Sequence, residues 1–325
     1  MISEEDFVTH AEPMKRSRMD VLLQTKWVAA QSLGVFKYDV REGSLPMRTM
    51  AGRFAFVVQL NPDRGTQRRR PQDTCQLVMP FDDNLFNFTK TKAGETLFRL
   101  QLPAALKVCD ASLFVNNSPI EFCSSLLVPD PSKKLPQVLT SDSLLLAVSF
   151  LAASSCQHQR LGFNSLGAAA SVNHLHWHVY RLNARLAIEQ HPVSDEHVLI
   201  DWPIPGFAFD ISALTFDAVQ KLVTKVMRYV AACLDLGLAH NLFLTRTTDG
   251  QSIRVIVWPR KPHFGCKNDM GLVAAFCEFS GFFIAKTRQS FDELTEECGI
   301  RLLASVATEI DVIQRHVQAL SSPSK

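Results

Sequence analysis

Stretches of apolar residues at helical spacing alternate along this chain with short runs rich in β-branched and aromatic residues. Val21 to Leu33 carries Val21, Leu22, Trp27, Val28 and Leu33 at helical intervals, which predicts a helix. Arg53 to Leu60 (RFAFVVQL) has the composition of a strand, and strands are also expected at Thr96 to Leu102, Ser112 to Asn116 and Phe122 to Val128. Ser141 is a suitable cap for an apolar helix that ends near Ser154. Thr215 to Leu236 reads as a helix, Asn241 to Thr245 and Ile253 to Val257 as strands, and Leu294 to Leu320 as one long helix. Phe81 to Lys90 (FDDNLFNFTK) fits neither period. No tandem repeat at a fixed short period is visible. Helices and strands are interspersed, so the class is mixed α and β. Residues up to about Asp20 are polar and are expected to be flexible, and Gln190 to Ser194 reads as a linker.

Composition narrows the function more than the fold. The 325 residues are enough for two domains or one large one. Lys and Arg number 34 against 32 Asp and Glu, a net charge of +2. A general nucleic-acid binder shows a clear basic excess, so that class is not favoured, although a local basic pocket for phosphates remains open. Met1 to Asp20 lacks the apolar core of a signal peptide. The most apolar stretch, Leu144 to Ala153, is ten residues long, too short to span a bilayer, so no membrane association is expected. The eight cysteines, at 75, 109, 123, 156, 233, 266, 277 and 298, form no Cys-x-x-Cys pair. Reduced thiols and a cytoplasmic location are the reading.

The segment Arg160 to Leu182 (RLGFNSLGAAASVNHLHWHVYRL) carries the chemistry. His174, His176 and His178 alternate with Leu175, Trp177 and Val179. Alternation at period two is a strand signal, and residues two apart point to one face. Three imidazoles are therefore expected on one face, with the apolar residues in the core. Incidental surface histidines seldom cluster in this way. Upstream, Leu166-Gly167-Ala168-Ala169-Ala170-Ser171 is a run of small residues that lets a ligand or another backbone come close. Gly167 belongs to that run, Ser171 offers a hydroxyl and an N–H, and a turn here would present N–H groups to a phosphate. The bland reading of the run is tight packing. Asn164 is placed to fix a ribose or phosphate oxygen, or else is a turn residue.

Two chemistries fit such a strand. His-x-His presents two imidazoles to zinc, but a zinc site wants further ligands and a carboxylate behind them. No acid occurs between Arg160 and Ala187. Nucleophilic catalysis needs one neutral, oriented imidazole and donors for the charged oxygens, which the neighbouring histidines and N–H groups supply. The second is favoured.

The pattern His-x-His-x-His with apolar x, preceded by Asn-Ser-Leu-Gly-Ala-Ala-Ala-Ser-Val-Asn, resembles the histidine-triad superfamily. More closely, the chain is similar to the GDP-D-glucose phosphorylase family, relatives of the plant GDP-L-galactose phosphorylases. Phe56 to Asn61 with Arg64-Gly65, Phe86-Asn87-Phe88, Asn117 to Glu121, Leu126 to Pro129, Asn241 to Arg246, Trp258 to Lys261, Phe264-Gly265 and the segment around Cys277-Glu278 with Gly281 extend the likeness over residues 20 to 310. The resemblance implies an α+β fold of two histidine-triad-like halves, each an antiparallel sheet with helices. The divisions expected are a flexible N-terminus over 1–20, an N-terminal half over 21–187 that carries the triad, and a C-terminal half over 188–325. It implies that His176 attacks the α-phosphorus of GDP-glucose, that glucose 1-phosphate leaves, and that inorganic phosphate then releases GDP from guanylyl-histidine. His174 would orient the nucleophile, His178 would contact the phosphates, and Ser171 and Asn164 match the superfamily's phosphate-contacting serine and upstream asparagine. No catalytic metal and no cofactor are expected, and the oligomeric state is not implied. One departure stands out: much of the superfamily carries a Gly-His pair in the stretch after Pro119-Ile120-Glu121, and here those places hold Cys123 and Ser124.

Other candidates are weaker. Arg68, in the run Arg68-Arg69-Arg70, either binds phosphate or lies in a solvated loop. Arg260, Lys261 and Lys267 have the same two readings, and Lys90 is by default a surface lysine. Trp177 and Phe163 read as core rather than base-stacking groups. Asp and Glu are the natural acceptors for the N1 and N2 hydrogens of guanine, but no position stands out. The alternatives to a phosphorylase are a nucleotide hydrolase of the same superfamily, a guanine-nucleotide-binding regulator without turnover, and a zinc enzyme.

Overall fold

The computed structural model describes residues 1–9, 11, 16–103, 110–264 and 271–321. In chain order the elements are α1 (Arg18–Ser32), β1 (Met47–Thr49), β2 (Val57–Leu60), α2 (Asp63–Thr66), β3 (Thr96–Leu100), β4 (Ala111–Val115), β5 (Ser125–Pro129), α3 (Ser141–Ala152), β6 (Gln159–Asn164), β7 (Trp177–Arg181), β8 (Phe207–Ile211), α4 (Phe216–Asp235), β9 (Ala239–Arg246), β10 (Ile253–Arg260), α5 (Phe276–Phe279), β11 (Phe282–Ala285), α6 (Arg288–Glu293), α7 (Glu296–Val306) and α8 (Asp311–Ser321). The α+β class is as expected from the sequence. Among the described residues no helix is long and apolar enough to cross a membrane.

Eight strands form one antiparallel sheet in the order β3-β4-β5-β7-β6-β9-β10-β8. The strands of the two halves of the chain are thus joined edge to edge, β6 to β9, with Leu161 opposite Leu244 and Asn164 opposite Asn241. A small sheet, β1-β2-β11, pairs β11 parallel to β2. One face of the large sheet buries Leu161, Phe163, Leu175, Trp177 and Val179 against α1, α3 and α4. The other buries Tyr180, Phe243, Ile256 and Trp258 against the small sheet and α5. Apolar alternation in the strands produces this two-sided core.

Several local expectations are corrected by the packing. β2 occupies only the last four residues of the predicted Arg53 to Leu60 strand. Thr140, not Ser141, caps α3, its hydroxyl accepting from Ser143 N–H. The single helix expected over Leu294 to Leu320 is two, α7 and α8. The break follows from pairing with the end of β10: Lys261 N–H donates to Val306 O, and Ala307 bridges Arg260. In the first twenty residues Ile2 and Phe7 are buried, and Asp20 sits within α1. The Asp20 carboxylate accepts from Ser154 and Ser155 and pairs with Arg181.

Candidate active site

The histidine segment enters the sheet later than its alternation implies. β7 begins at Trp177, so only His178 lies in the strand, and His174 and His176 sit on the approach to it. Leu175, Trp177 and Val179 are buried in the core as expected. The three imidazoles do not share one open face. The His174 ring is buried between Phe81 and Phe88, with centroids 5.1 Å and 5.2 Å away. The rings of His176 and His178 lie 5.3 Å apart, and both line a cleft.

His176 is oriented by the backbone. Its Nδ1 lies 2.7 Å from the carbonyl oxygen of His174. A carbonyl only accepts, so Nδ1 carries the hydrogen, and in the neutral ring Nε2 carries the lone pair. His174 thus contributes its main-chain oxygen. Its own Nδ1 accepts from Phe88 N–H at 3.1 Å. Burial, and behind it the neighbouring His176, push the His174 imidazole down to about 4, so it is neutral at physiological pH. The backbone of His176 is held in turn by Gln137. His176 N–H donates to Gln137 Oε1 at 2.9 Å, and Gln137 Nε2 donates to His176 O at 3.2 Å and Asn164 O at 2.9 Å. Asn173 continues the network: its Oδ1 accepts from Gln137 N–H, and its own N–H donates to Gln72 Oε1.

Two lobes meet beside His178. The first, about 710 Å³, is lined by Phe86, Phe88, Leu126 and Val172, by Glu95 and Asn116, and by Arg68, Arg69 and Arg70; it contains His176. The second, about 620 Å³, is lined by Asn164, Phe276, Glu278, Ile284 and Lys286. Arg64, Arg68, Ser171 and His178 line both. Cations, a hydroxyl and an imidazole therefore gather at the junction, an arrangement suited to a phosphate group. In the first lobe the Arg69 guanidinium lies over the Phe86 ring, 3.2 Å from its centroid. In the second, Phe276 packs on His178 at 5.4 Å. That approach requires Gly162, which is opposite His178 in the sheet: a Cβ there would stand 2.1 Å from the Phe276 ring. Burial pushes the Glu278 carboxyl up to about 7.

The candidate residues divide accordingly. His176, His178, Ser171 and Arg68 come together in the first lobe, the last three of them at its junction with the second. Asn164 lines the second lobe, but its Oδ1 is engaged by Asn241 Nδ2 at 2.6 Å and Phe276 N–H at 3.2 Å. Gly167 lies elsewhere: with φ at +73° it lines a separate cavity with Gln72, Arg260 and His263, and its carbonyl accepts from His263 N–H. Lys261 is exposed and lines neither lobe, Arg260 belongs to the separate cavity, and Lys267 lies outside the described residues. Lys90 points away, donating to the carbonyls of Asp83 and Leu85.

Comparison with known proteins matches both parts of the chain to one family. Residues 18–180 match the family described as GDPGP1-like, N-terminal domain, and residues 187–320 match GDPGP1-like, C-terminal domain. The chain belongs to the GDPGP1-like family. It is 39% identical to GDP-D-glucose phosphorylase 1 of Bos taurus over 88% of this chain and 79% of that protein. Against the Danio rerio protein of the same name, identity is 37% over 93% and 87%. GDP-L-galactose phosphorylase 2 of Arabidopsis thaliana is more distant, at 26% over 89% and 72%. Among solved structures, yeast Ap4A phosphorylase Apa2 in complex with AMP superposes with a TM-score of 0.63 at 17% identity, covering 91% of this chain and 97% of that one. That likeness is one of fold.

Within the family frame the Cys123-Ser124 departure has a local account. Cys123 adopts a left-handed φ of +59°, the conformation a glycine takes most easily. Ser124 Oγ accepts from Ile120 N–H at 3.1 Å and contacts Asn116 Nδ2 at 3.3 Å, so it steadies a residue of the first lobe. Sequence reasoning did not find Gln137, Glu95, Asn116 or Glu278 as site residues. Each is a polar residue in an irregular or short element; Glu95, Asn116 and Glu278 are marked only by their place in the lobes, and Gln137, which lines neither, by its bonds to the His176 backbone.

Proposed function

We propose that this protein is a GDP-D-glucose phosphorylase that works through a guanylyl-histidine on His176. The observation that carries the reading is the His176–His174 contact. It leaves Nε2 with the lone pair in the cleft where arginines, Ser171 and His178 converge. In the first step Nε2 attacks the α-phosphorus of GDP-glucose. The bond from that phosphorus to the oxygen bridging the β-phosphate breaks, and glucose 1-phosphate leaves with the electron pair. In the second, an oxygen of inorganic phosphate attacks the same phosphorus, the N–P bond breaks, and GDP leaves with His176 restored. Arg64, Arg68, Ser171 and His178 stabilise the charge that develops on the phosphate oxygens. Guanosine lies in the first lobe, where Phe86, Phe88, Leu126 and Val172 supply apolar faces and Glu95 an acceptor for the N1 and N2 hydrogens of guanine. Asn164 positions α5 and the seam rather than gripping phosphate itself. Two halves, over 21–187 and 188–325, and a cytoplasmic location complete the reading. The free thiols of the described cysteines support the location.

The test is turnover of GDP-glucose with and without inorganic phosphate, by the protein and by His176→Ala. Phosphate-dependent release of GDP and glucose 1-phosphate, reduced at least about a thousandfold in the variant, is expected. GMP released without phosphate would make the protein a hydrolase. Binding without turnover would make it a regulator.

A further inference from the structure

The two lobes are not equivalent with respect to the nucleophile. His176 lines the first lobe and not the second, whereas His178, Ser171, Arg64 and Arg68 line both. Displacement at phosphorus places attacking and leaving groups roughly in line, on opposite sides of the transferred group. With the phosphorus at the junction and the attack coming from His176, the leaving group points into the lobe that His176 does not reach.

The chemistry of that second lobe is unlike that of the first. Its arginines are confined to the junction, and its far wall comes from the C-terminal half of the chain. Phe276 offers a ring that packs against His178 on one side. Glu278 is 5% exposed, and its Oε2 accepts from Ala275 N–H at 3.1 Å. The backbone N–H groups of Ile284 and of Glu278 itself also act on this carboxylate, which holds it in place on the lobe wall. Lys286 is 7% exposed and anchored on the Gly271 carbonyl at 2.8 Å, near enough to Glu278 to act on its charge. A carboxyl, an ammonium and an aromatic ring in a lobe beyond the phosphate site match a neutral polyol ring. The acid and the ammonium take vicinal hydroxyls, and the aromatic ring takes the C–H face. A second nucleobase would find a single aromatic ring here, whereas the first lobe offers both Phe86 and Phe88.

We propose that the second lobe is the hexose subsite, in which Glu278 and Lys286 read the sugar hydroxyls and Phe276 carries the ring. This rests on the phosphorylase reading above. Glu278 is a specificity-determining residue: a buried acceptor that pairs with a hydroxyl discriminates against any ligand lacking that hydroxyl, because its own hydrogen bond is then lost.

The experiment compares GDP-glucose with a sugar-free analogue, GDP esterified by methanol on its β-phosphate, as substrates for phosphorolysis. Wild type is expected to prefer GDP-glucose in kcat/KM, and Glu278→Gln, which keeps an oxygen to cap α5, is expected to cut that preference by about tenfold to a hundredfold. Lys286→Met is expected to cut it in the same direction, and GDP-mannose and GDP-galactose should gain on GDP-glucose in both variants. Equal loss on both substrates, or no loss, overturns the subsite. A wild type that turns over the methyl ester as well as GDP-glucose also overturns it and leaves the phosphorylase reading standing. A wild type that turns over neither with phosphate removes that reading and the subsite with it. Thermal unfolding of each variant guards the comparison, since a misfolded variant loses both substrates together.

Discussion

Gln137 grips His176 by both backbone groups, accepting from its N–H at 2.9 Å and donating to its carbonyl at 3.2 Å. The same amide donates to Asn164 O, so one side chain ties the backbone of His176 to the strand β6 beside it. Gln137 is 1% exposed, and water cannot replace what it supplies. Gln137→Leu leaves a buried N–H and two carbonyls without a partner, at about 1–3 kcal/mol for each buried group left unsatisfied. The expected result is a marked fall in unfolding free energy in urea. A fall in kcat of at least about tenfold, with KM for GDP-glucose little changed, should accompany it, because the substrate lobes are untouched while His176 loses its placement. Gln137→Glu retains the acceptor and should lie between wild type and Gln137→Leu. A kcat for Gln137→Leu equal to wild type would show that the clamp is structural only.

His174 acts by its main chain, and its imidazole is spent on Phe88. Substitution leaves the carbonyl in place. His174→Ala is therefore expected to lose far less kcat than His176→Ala, by about a hundredfold or more, while costing stability through the cavity and the stranded Phe88 N–H, about 2–4 kcal/mol. Pre-steady-state formation of guanylyl-enzyme, with thermal unfolding, measures both. An equal kinetic loss in the two variants would place the His174 ring in the chemistry.

The contrast between these two histidines shows what was legible in the sequence. The alternation of His174, His176 and His178 with Leu175, Trp177 and Val179 marked the candidate site and its apolar backing, because strand periodicity is a local property. It did not show that the strand begins at Trp177, since where a strand begins depends on its partners, here β5 and β6. The small residues around Gly167 looked alike along the chain, yet Ser171 faces the junction and Gly167 the cavity behind it. Gln137, Glu95 and Glu278 are single polar residues whose meaning comes from what folds against them. The edge-to-edge joining of the two halves at β6 and β9 is a long-range pairing that no local pattern encodes.

His240 is fully buried beside Phe163, and neither ring nitrogen has a hydrogen-bond partner among the described residues. Burial pushes it down to about 4. Above pH 6.5 the ring is neutral in both folded and unfolded chains. Between about 6.5 and 4 the unfolded chain takes up a proton that the folded one refuses, so stability falls as pH falls. His158 and His174, also pushed down to about 4, act in the same direction. Glu121 and Glu278, both pushed up to about 7, act in the opposite one: their contribution is present below pH 4.5 and is lost as pH rises through 7. His240→Leu isolates one term. Taken from pH 7.5 to pH 5, wild type should lose about 2 kcal/mol of unfolding free energy relative to the variant. Parallel losses would mean that His240 is protonated within the fold.

Arg160 and Glu189 form an ion pair in which both side chains have no exposure. Arg160 comes from β6, two residues before Gly162, and Glu189 from the segment between β7 and β8, so the pair ties the connection between the halves to the seam. Thr245 Oγ1 on β9 donates to the same carboxylate at 3.2 Å. Arg185 reaches the other carboxylate oxygen only at 3.6 Å and is about a third exposed, so it cannot stand in for Arg160. Desolvation makes such a pair a weak source of net stability, but loss of one member strands the other. Arg160→Met is expected to cost about 3–5 kcal/mol in urea unfolding at pH 7. Adding Glu189→Leu should recover most of that, since an apolar pair of similar volume asks for no desolvation. Well below its unfolding temperature the double variant should keep the kcat of wild type, as neither residue lines the lobes beside His178. If the second substitution recovers nothing, the cost of the first lies in the carbonyls of Gln157 and Ala184 that Arg160 also serves, and not in the stranded carboxylate.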